Sequence, residues 1–269
     1  MRDRIYSPGP IMQPMANIAL RAARLAGQQI VRGFDRPDLI DISTKGHNDF
    51  VTNIDREAEY IAIETLREKY PDHKFTGEES GSSTEENLEY EWVIDPLDGT
   101  MNFTRQLPHF CVSIACLHNG KIEHGVVVDP IRQEEFVASR GQGATLNGKR
   151  IRVSSLDNLD GALIATGGRD RYQEGEIEVQ RQLGEANSFM RQSGSAALDL
   201  AYIATGRLDG LYLKGLGRWD MAAGVLLVTE AGGLVGDFEG GANFMKNGNI
   251  VAGSPRCFKT ISSVVRKHL

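Results

Sequence analysis

Two aspartates three positions apart, Asp95 and Asp98, close an apolar run in EWVIDPLDGTMNF (residues 91–103), with Pro96 between them and Gly99-Thr100 behind. Aspartate is a poor strand residue and costly to bury, so a strand that delivers two of them into one turn needs a chemical reason. Other acids stand at comparable places: Glu78 and Glu79 in GEES after a short apolar run, Asp220 opening a helix in RWDMAAG, and Asp55 in VTNID. Taken singly, each reads as a solvated charge or a helix cap, because exposed acids are common; Asp220 would complement a helix dipole. Taken together they say more. Glu78, Asp95 and Asp220 lie where apolar elements end or begin, which is where sites are usually built. Converging carboxylates repel unless they are protonated or hold cations. Oxygen donors without a His or Cys cluster suit Mg²⁺ better than zinc. The Gly99-Thr100 turn adds backbone N–H groups, an anion site if a helix begins there. Cation on one side and anion donors on the other mean phosphate chemistry.

The elements that must position these groups follow from periodicity. Apolar residues at three- and four-residue spacing predict helices over residues 14–34 and 53–70, the second stopped by Pro71. Strands are expected at 74–76, 92–95, 111–117, 122–129 and 135–139, with Asn119-Gly120 as a hairpin turn and RGQGATLNG (140–148) as turns. Beyond residue 160 the rhythm changes. Strands are expected at 163–166, 211–213 and 250–252, and helices at 172–184, 195–204, 219–231 (closed by Gly232-Gly233) and from 256 onward. The order predicts a loose extension at residues 1–13, an α+β subdomain over 14–160 and an α/β subdomain over 161–269.

Composition narrows the function classes. The 269 residues are 41% hydrophobic and 25% charged, ordinary for a globular chain with a real core. A net charge of −6 argues against a broad nucleic-acid footprint. Three cysteines, Cys111, Cys116 and Cys257, with no CxxC pair read as reduced thiols in a cytoplasmic protein. No apolar run reaches the roughly 20 residues of a membrane span. Cys111 and Cys116 lie among Val112, Ile114 and Leu117, so core packing accounts for them better than nucleophilic catalysis does. The six histidines, His109 among them, show no zinc-like spacing.

GEES, WVIDPLDGTMNF and WDMAAGVLLVTEAGG resemble, in order and spacing, the three signature blocks of the inositol monophosphatases, a lithium-sensitive, Mg²⁺-dependent sugar-phosphatase superfamily. NDFVTNIDREAE and SGSAALDLAYIATGR bring the chain closest to the bacterial SuhB-like branch. The resemblance implies a layered αβαβα sandwich, commonly a homodimer. It implies two or three Mg²⁺ ions on Glu78, Asp95, the Leu97 carbonyl, Asp98 and Asp220, with Glu78, Asp55 and Thr100 as the catalytic set. Thr100 and Asp55 would orient the attacking water. Gly99 and Thr100 would bind the phosphate, and Gly194, Ser195 and Ala196 would line the substrate pocket. Lys45 and Asp49 would fall in a mobile loop that closes near the metals.

Two positions depart from the family pattern. Many members carry a glutamate seven residues before the aspartate of the WD block, where it binds an inositol hydroxyl; that position is Leu213. Bacterial relatives often read Thr-Gly-Phe-Pro where this chain has TGGRD, Thr166 to Asp170. Both bear on the alcohol rather than on the metals. The expected activity is hydrolysis of inositol 1-phosphate or a related sugar or polyol phosphate. Alternatives are another small-molecule phosphatase, for fructose 1,6-bisphosphate, histidinol phosphate or a 3′-phosphonucleotide. A different class is a SuhB-like antitermination factor that binds RNA polymerase and Nus factors, without direct contact to nucleic acid.

Overall fold

The structure, a computed structural model, describes residues 13–46, 49–168 and 174–269, with the backbone alone at 44–46, 49–50 and 168. The helices are α1 (Pro14–Phe34), α2 (Asn53–Arg67), α3 (Thr100–Thr104), α4 (Glu174–Glu185), α5 (Ala196–Ala204), α6 (Arg218–Glu230), α7 (Phe244–Asn247) and α8 (Pro255–His268). The strands are β1 (Ile42–Gly46), β2 (Asp49–Thr52), β3 (Lys74–Gly77), β4 (Gly81–Ser82), β5 (Tyr90–Asp98), β6 (Cys111–His118), β7 (Lys121–Asp129), β8 (Glu134–Ser139), β9 (Gly143–Leu146) and β10 (Lys149–Arg150). Beyond them come β11 (Leu163–Gly168), β12 (Phe189–Arg191), β13 (Gly210–Lys214), β14 (Leu234–Gly236) and β15 (Ile250–Gly253).

Eight strands form one sheet in the order β10-β9-β8-β7-β6-β5-β3-β4, and five form a second in the order β12-β11-β13-β15-β14. Strand alternation decides what each face covers. Trp92 and Ile94 of β5 pack with Ala19, Ala23 and Ala26 of α1 and with Ala58 and Ala62 of α2. Val93, between them, faces the core that holds Leu200 of α5 and Leu227 of α6. Leu211 and Leu213 of β13 reach that same core from the second sheet. Tyr212 points the other way, to Val179 of α4 and Ile261 of α8. The layers therefore run α1/α2, eight-stranded sheet, α5/α6, five-stranded sheet, α4/α8: an αβαβα sandwich.

Several expectations change in detail. Residues 140–148, read as turns because of three glycines, include β9, which pairs with β8. Lys45 and Asp49 lie on β1 and β2, which pair antiparallel, while both side chains lie outside the described residues. Residues 1–12 and Arg169–Asp170 of the TGGRD departure also lie outside them. Asn119-Gly120 makes the expected hairpin turn, with φ of 49° and 76°.

Candidate active site

In a regular strand, residues three apart point to opposite faces. Asp95 and Asp98 escape this because β5 bulges between them: Asp95 pairs with Ser113 and Asp98 with Cys111, so β5 spends one residue more than β6. Pro96 has no N–H to give a ladder, which makes it a natural place for the break. The bulge turns both carboxylates to one side, where Asp220 meets them from the first turn of α6. One oxygen of each lies within 4.8 Å of the others. Asp220 Oδ2 also accepts from the Gly217 amide at 2.7 Å, so the residue caps α6 and joins the trio.

The electrostatics are unfavourable in a telling way. Asp95 is 1% exposed. Burial, then the charges of Glu78, Asp98 and Asp220, push its carboxyl well above the ordinary range. Glu78 stands outside the trio but within reach of Asp95's field; its backbone N–H donates a hydrogen bond to the Ile94 carbonyl at 3.1 Å. Burial also raises Asp98, while hydrogen bonds to Oδ2 from the Ser195 hydroxyl and the Ala197 amide, each 2.7 Å, oppose the rise. Crowded carboxylates of this kind, Asp95 buried and Asp98 and Asp220 half-buried, fit a hard divalent cation by charge and donor type. Leu97 sits inside the bulge with its carbonyl 3.0 Å from the Thr100 hydroxyl.

Asp55 arrives from the first turn of α2. The capping box orients it: Oδ2 accepts from the Thr52 amide at 2.8 Å and from the Thr52 hydroxyl. Its Oδ1 is 2.9 Å from the Thr100 hydroxyl. That hydroxyl has one hydrogen and two acceptors, Asp55 and the Leu97 carbonyl, so it donates to one at a time. Burial raises the Asp55 carboxyl despite the threonine bonds. Gly99, at φ 103°, makes the left-handed turn into α3 that few side chains tolerate.

Of the expected pocket residues, Gly194 is exposed beside Asn102, Ala196 is half-buried, and Ser195 is buried with its hydroxyl turned to Asp98. Leu213 is buried in the α5/α6 core, next to Gly167 of β11. The thiols are inert: burial, with Asp98 and Asp95 behind it, holds Cys111 well above its usual value, and burial pushes Cys116 up to about 12.

Three supporting residues escape a reading of the sequence. Glu59, one turn after Asp55, accepts from the Glu79 and Ser80 amides at 2.9 and 2.8 Å and so fixes the GEES turn. Asn102 donates to the carbonyls of His109 and Ser193 at 2.8 and 2.9 Å, tying α3 to the loop before α5. Asp199 accepts from the Ser193 hydroxyl at 2.6 Å. The i, i+4 spacing of Asp55 and Glu59 is the one local signal among them.

The sequence matches the inositol monophosphatase family profile over residues 11–269. The chain belongs to the inositol monophosphatase family. Among this family's members, Nus factor SuhB of Pseudomonas aeruginosa is 51% identical, over 96% of this chain and 98% of its own. The extragenic suppressor protein SuhB of Bartonella henselae superposes with a TM-score of 0.92 at 39% identity, covering 96% of this chain and all of that one. A staphylococcal inositol monophosphatase-II solved with inositol monophosphate bound is 25% identical, with a TM-score of 0.81 and 95% of both chains covered. The inositol monophosphatase fold and the SuhB-like kinship are thus both established. No described helix is long and apolar enough to cross a membrane.

Proposed function

We propose that this chain is a Mg²⁺-dependent phosphomonoesterase acting on inositol 1-phosphate or a related sugar or polyol phosphate. The observation that carries the reading is the convergence of Asp95, Asp98 and Asp220 beside the Asp55–Thr100 pair. Glu78, Asp95, the Leu97 carbonyl, Asp98 and Asp220 would hold two or three Mg²⁺ ions, which when bound neutralise the ester phosphate and lower the pKa of a water. Asp55 accepts a hydrogen bond from the Thr100 hydroxyl, which would leave the threonine oxygen to accept from that water and aim it in line with the leaving alcohol. Gly99 and Thr100 direct backbone N–H groups to the phosphate, and Gly194, Ser195 and Ala196 border the alcohol. Glu78, held at the edge of the trio, would complete the oxygen donors that hold the metal. No side-chain nucleophile is required, in keeping with the raised thiols. Phosphate release measured across inositol, sugar, histidinol and nucleoside phosphates, with and without Mg²⁺, tests the reading; equal release with the metal chelated would end it.

A second reading rests on the 51% identity to a Nus factor: a role in transcription antitermination through RNA polymerase and Nus factors, in a cytoplasmic homodimer. Co-purification with those proteins tests the role, and sedimentation tests the dimer.

A further inference from the structure

Helix α8 carries Arg256, Lys259, Arg266 and Lys267 and no acid, in a chain of net charge −6. It packs on the outer face of the five-stranded sheet, on the far side from α6 and the carboxylates. Between α8 and β14 runs a groove of about 620 Å³. Its floor is apolar: Leu234, 45% exposed, with Pro255 and Phe258. Its rim is basic: Lys259, Arg266 and Lys267, all exposed. Two further observations point to a ligand. β14 ends its sheet and pairs with β15 alone, so one row of its backbone groups faces outward. Ser262, in the groove wall and 7% exposed, has a hydroxyl without a hydrogen-bond partner among the described residues.

We propose that this groove binds an acidic peptide segment of a partner protein, laid along β14 as an added strand. Main-chain bonds to β14 would supply the pairing, an apolar side chain would cover Leu234 and Phe258, and carboxylates would meet the basic rim. Two acids stand on the turn after β14: Asp237 is buried and accepts from the Gly241 and Asn243 amides, and Glu239 is exposed, with Arg266 lying over Gly240 on that same turn. A second copy of this chain is a poor occupant, since two-fold pairing of β14 edges would set like charges against each other. Nucleic acid is poorer still: a strand edge reads alternating amide and carbonyl groups, and the floor offers no freely exposed ring on which bases stack. The surface is independent of the phosphatase site.

The test titrates the full chain with a labelled peptide alternating glutamate and leucine, read by fluorescence anisotropy. Binding that weakens with added salt, and a peptide with lysine in place of glutamate that fails to bind, are expected. The pair Lys259→Glu with Lys267→Glu should weaken binding at least about tenfold, about 1.4 kcal/mol. Leu234→Ser should weaken it too, with circular dichroism and phosphate release unchanged in both variants. The proposal is overturned if the acidic peptide does not bind or if the variants bind it equally. It is also overturned if single-stranded RNA displaces the peptide, or if the variants lose only self-association.

Discussion

The two ends of β5 treat a carboxylate in opposite ways. At its start, Glu91 receives two bonds from Arg218, at 2.9 and 3.2 Å, and one from the Thr76 hydroxyl at 2.8 Å. Burial works against its charge, yet these partners outweigh it and hold the carboxyl below its usual range. Four residues on, Asp95 is buried deeper, and that burial, followed by the charges of Glu78, Asp98 and Asp220, lifts its carboxyl well above that range. The chain supplies a guanidinium where only stability is at stake and leaves carboxylates facing each other where the bulge points. Such repulsion persists when something outside the protein resolves it, which marks a functional site.

Substitutions at the two ends separate these jobs. Asp95→Asn should lower phosphate release at least about a hundredfold, in keeping with loss of a metal ligand. Because it relieves repulsion, it should leave the metal-free melting temperature equal or higher. Near-normal turnover in saturating Mg²⁺ would break the comparison. Lithium probes the same end without mutation. Millimolar Li⁺ should suppress most of the activity uncompetitively, since it is close to Mg²⁺ in size with half the charge. Competitive behaviour or indifference would count against the arrangement.

Leu213→Glu asks what a carboxylate costs where nothing answers it. Leu213 is buried among Leu200 and Leu227, so the substitution should lower the melting temperature by several degrees without lowering KM for inositol 1-phosphate. An unchanged melting temperature with a lower KM would show that position 213 faces the substrate instead.

Asp199 sharpens the contrast through pH. Burial is the main cause that lifts its carboxyl from 3.8 to about 7. A raised carboxyl binds its proton more tightly when folded, so its contribution to stability is present below the unfolded value and lost as pH rises through about 7. Asp199→Asn should flatten urea-unfolding stability over that window, keeping an acceptor for Ser193. An unchanged slope would refute it.

The smallest effect belongs to the paired end. Glu91→Gln should cost about 1 kcal/mol or less, for Arg218 is 37% exposed, and turnover should hold. Its contribution has the reverse sign, present above the ordinary carboxylate range and lost as pH falls. A large drop in turnover would show that the two ends are not separate.

The sequence announces what is local. The long apolar runs mark β5, β6 and β7, the three- and four-residue spacing marks α1 and α2, and the blocks around Asp95 and Asp220 mark the cluster. Short elements such as β12, β14 and α7 stay hidden because three or four residues carry too little periodicity to read. Glu59, Asn102 and Asp199 stay hidden for another reason. Their meaning lies in backbone groups such as Ser193, which Asn102 reaches across 91 positions, and no local pattern encodes such a partner. The bulge is intermediate: Pro96 signals a break, but only the pairing with Ser113 and Cys111 shows that it turns two side chains to one face.

Asp98 carries a last consequence. Its carboxylate belongs to the trio, and its Oδ2 is the acceptor for the amide of Ala197, ninety-nine residues away on α5. A change of charge felt by the carboxylate redistributes electrons over both of its oxygens. The proton resonance of that single amide, and the rate at which it exchanges with deuterium, therefore make α5 a built-in gauge of site occupancy, readable without any substrate turning over.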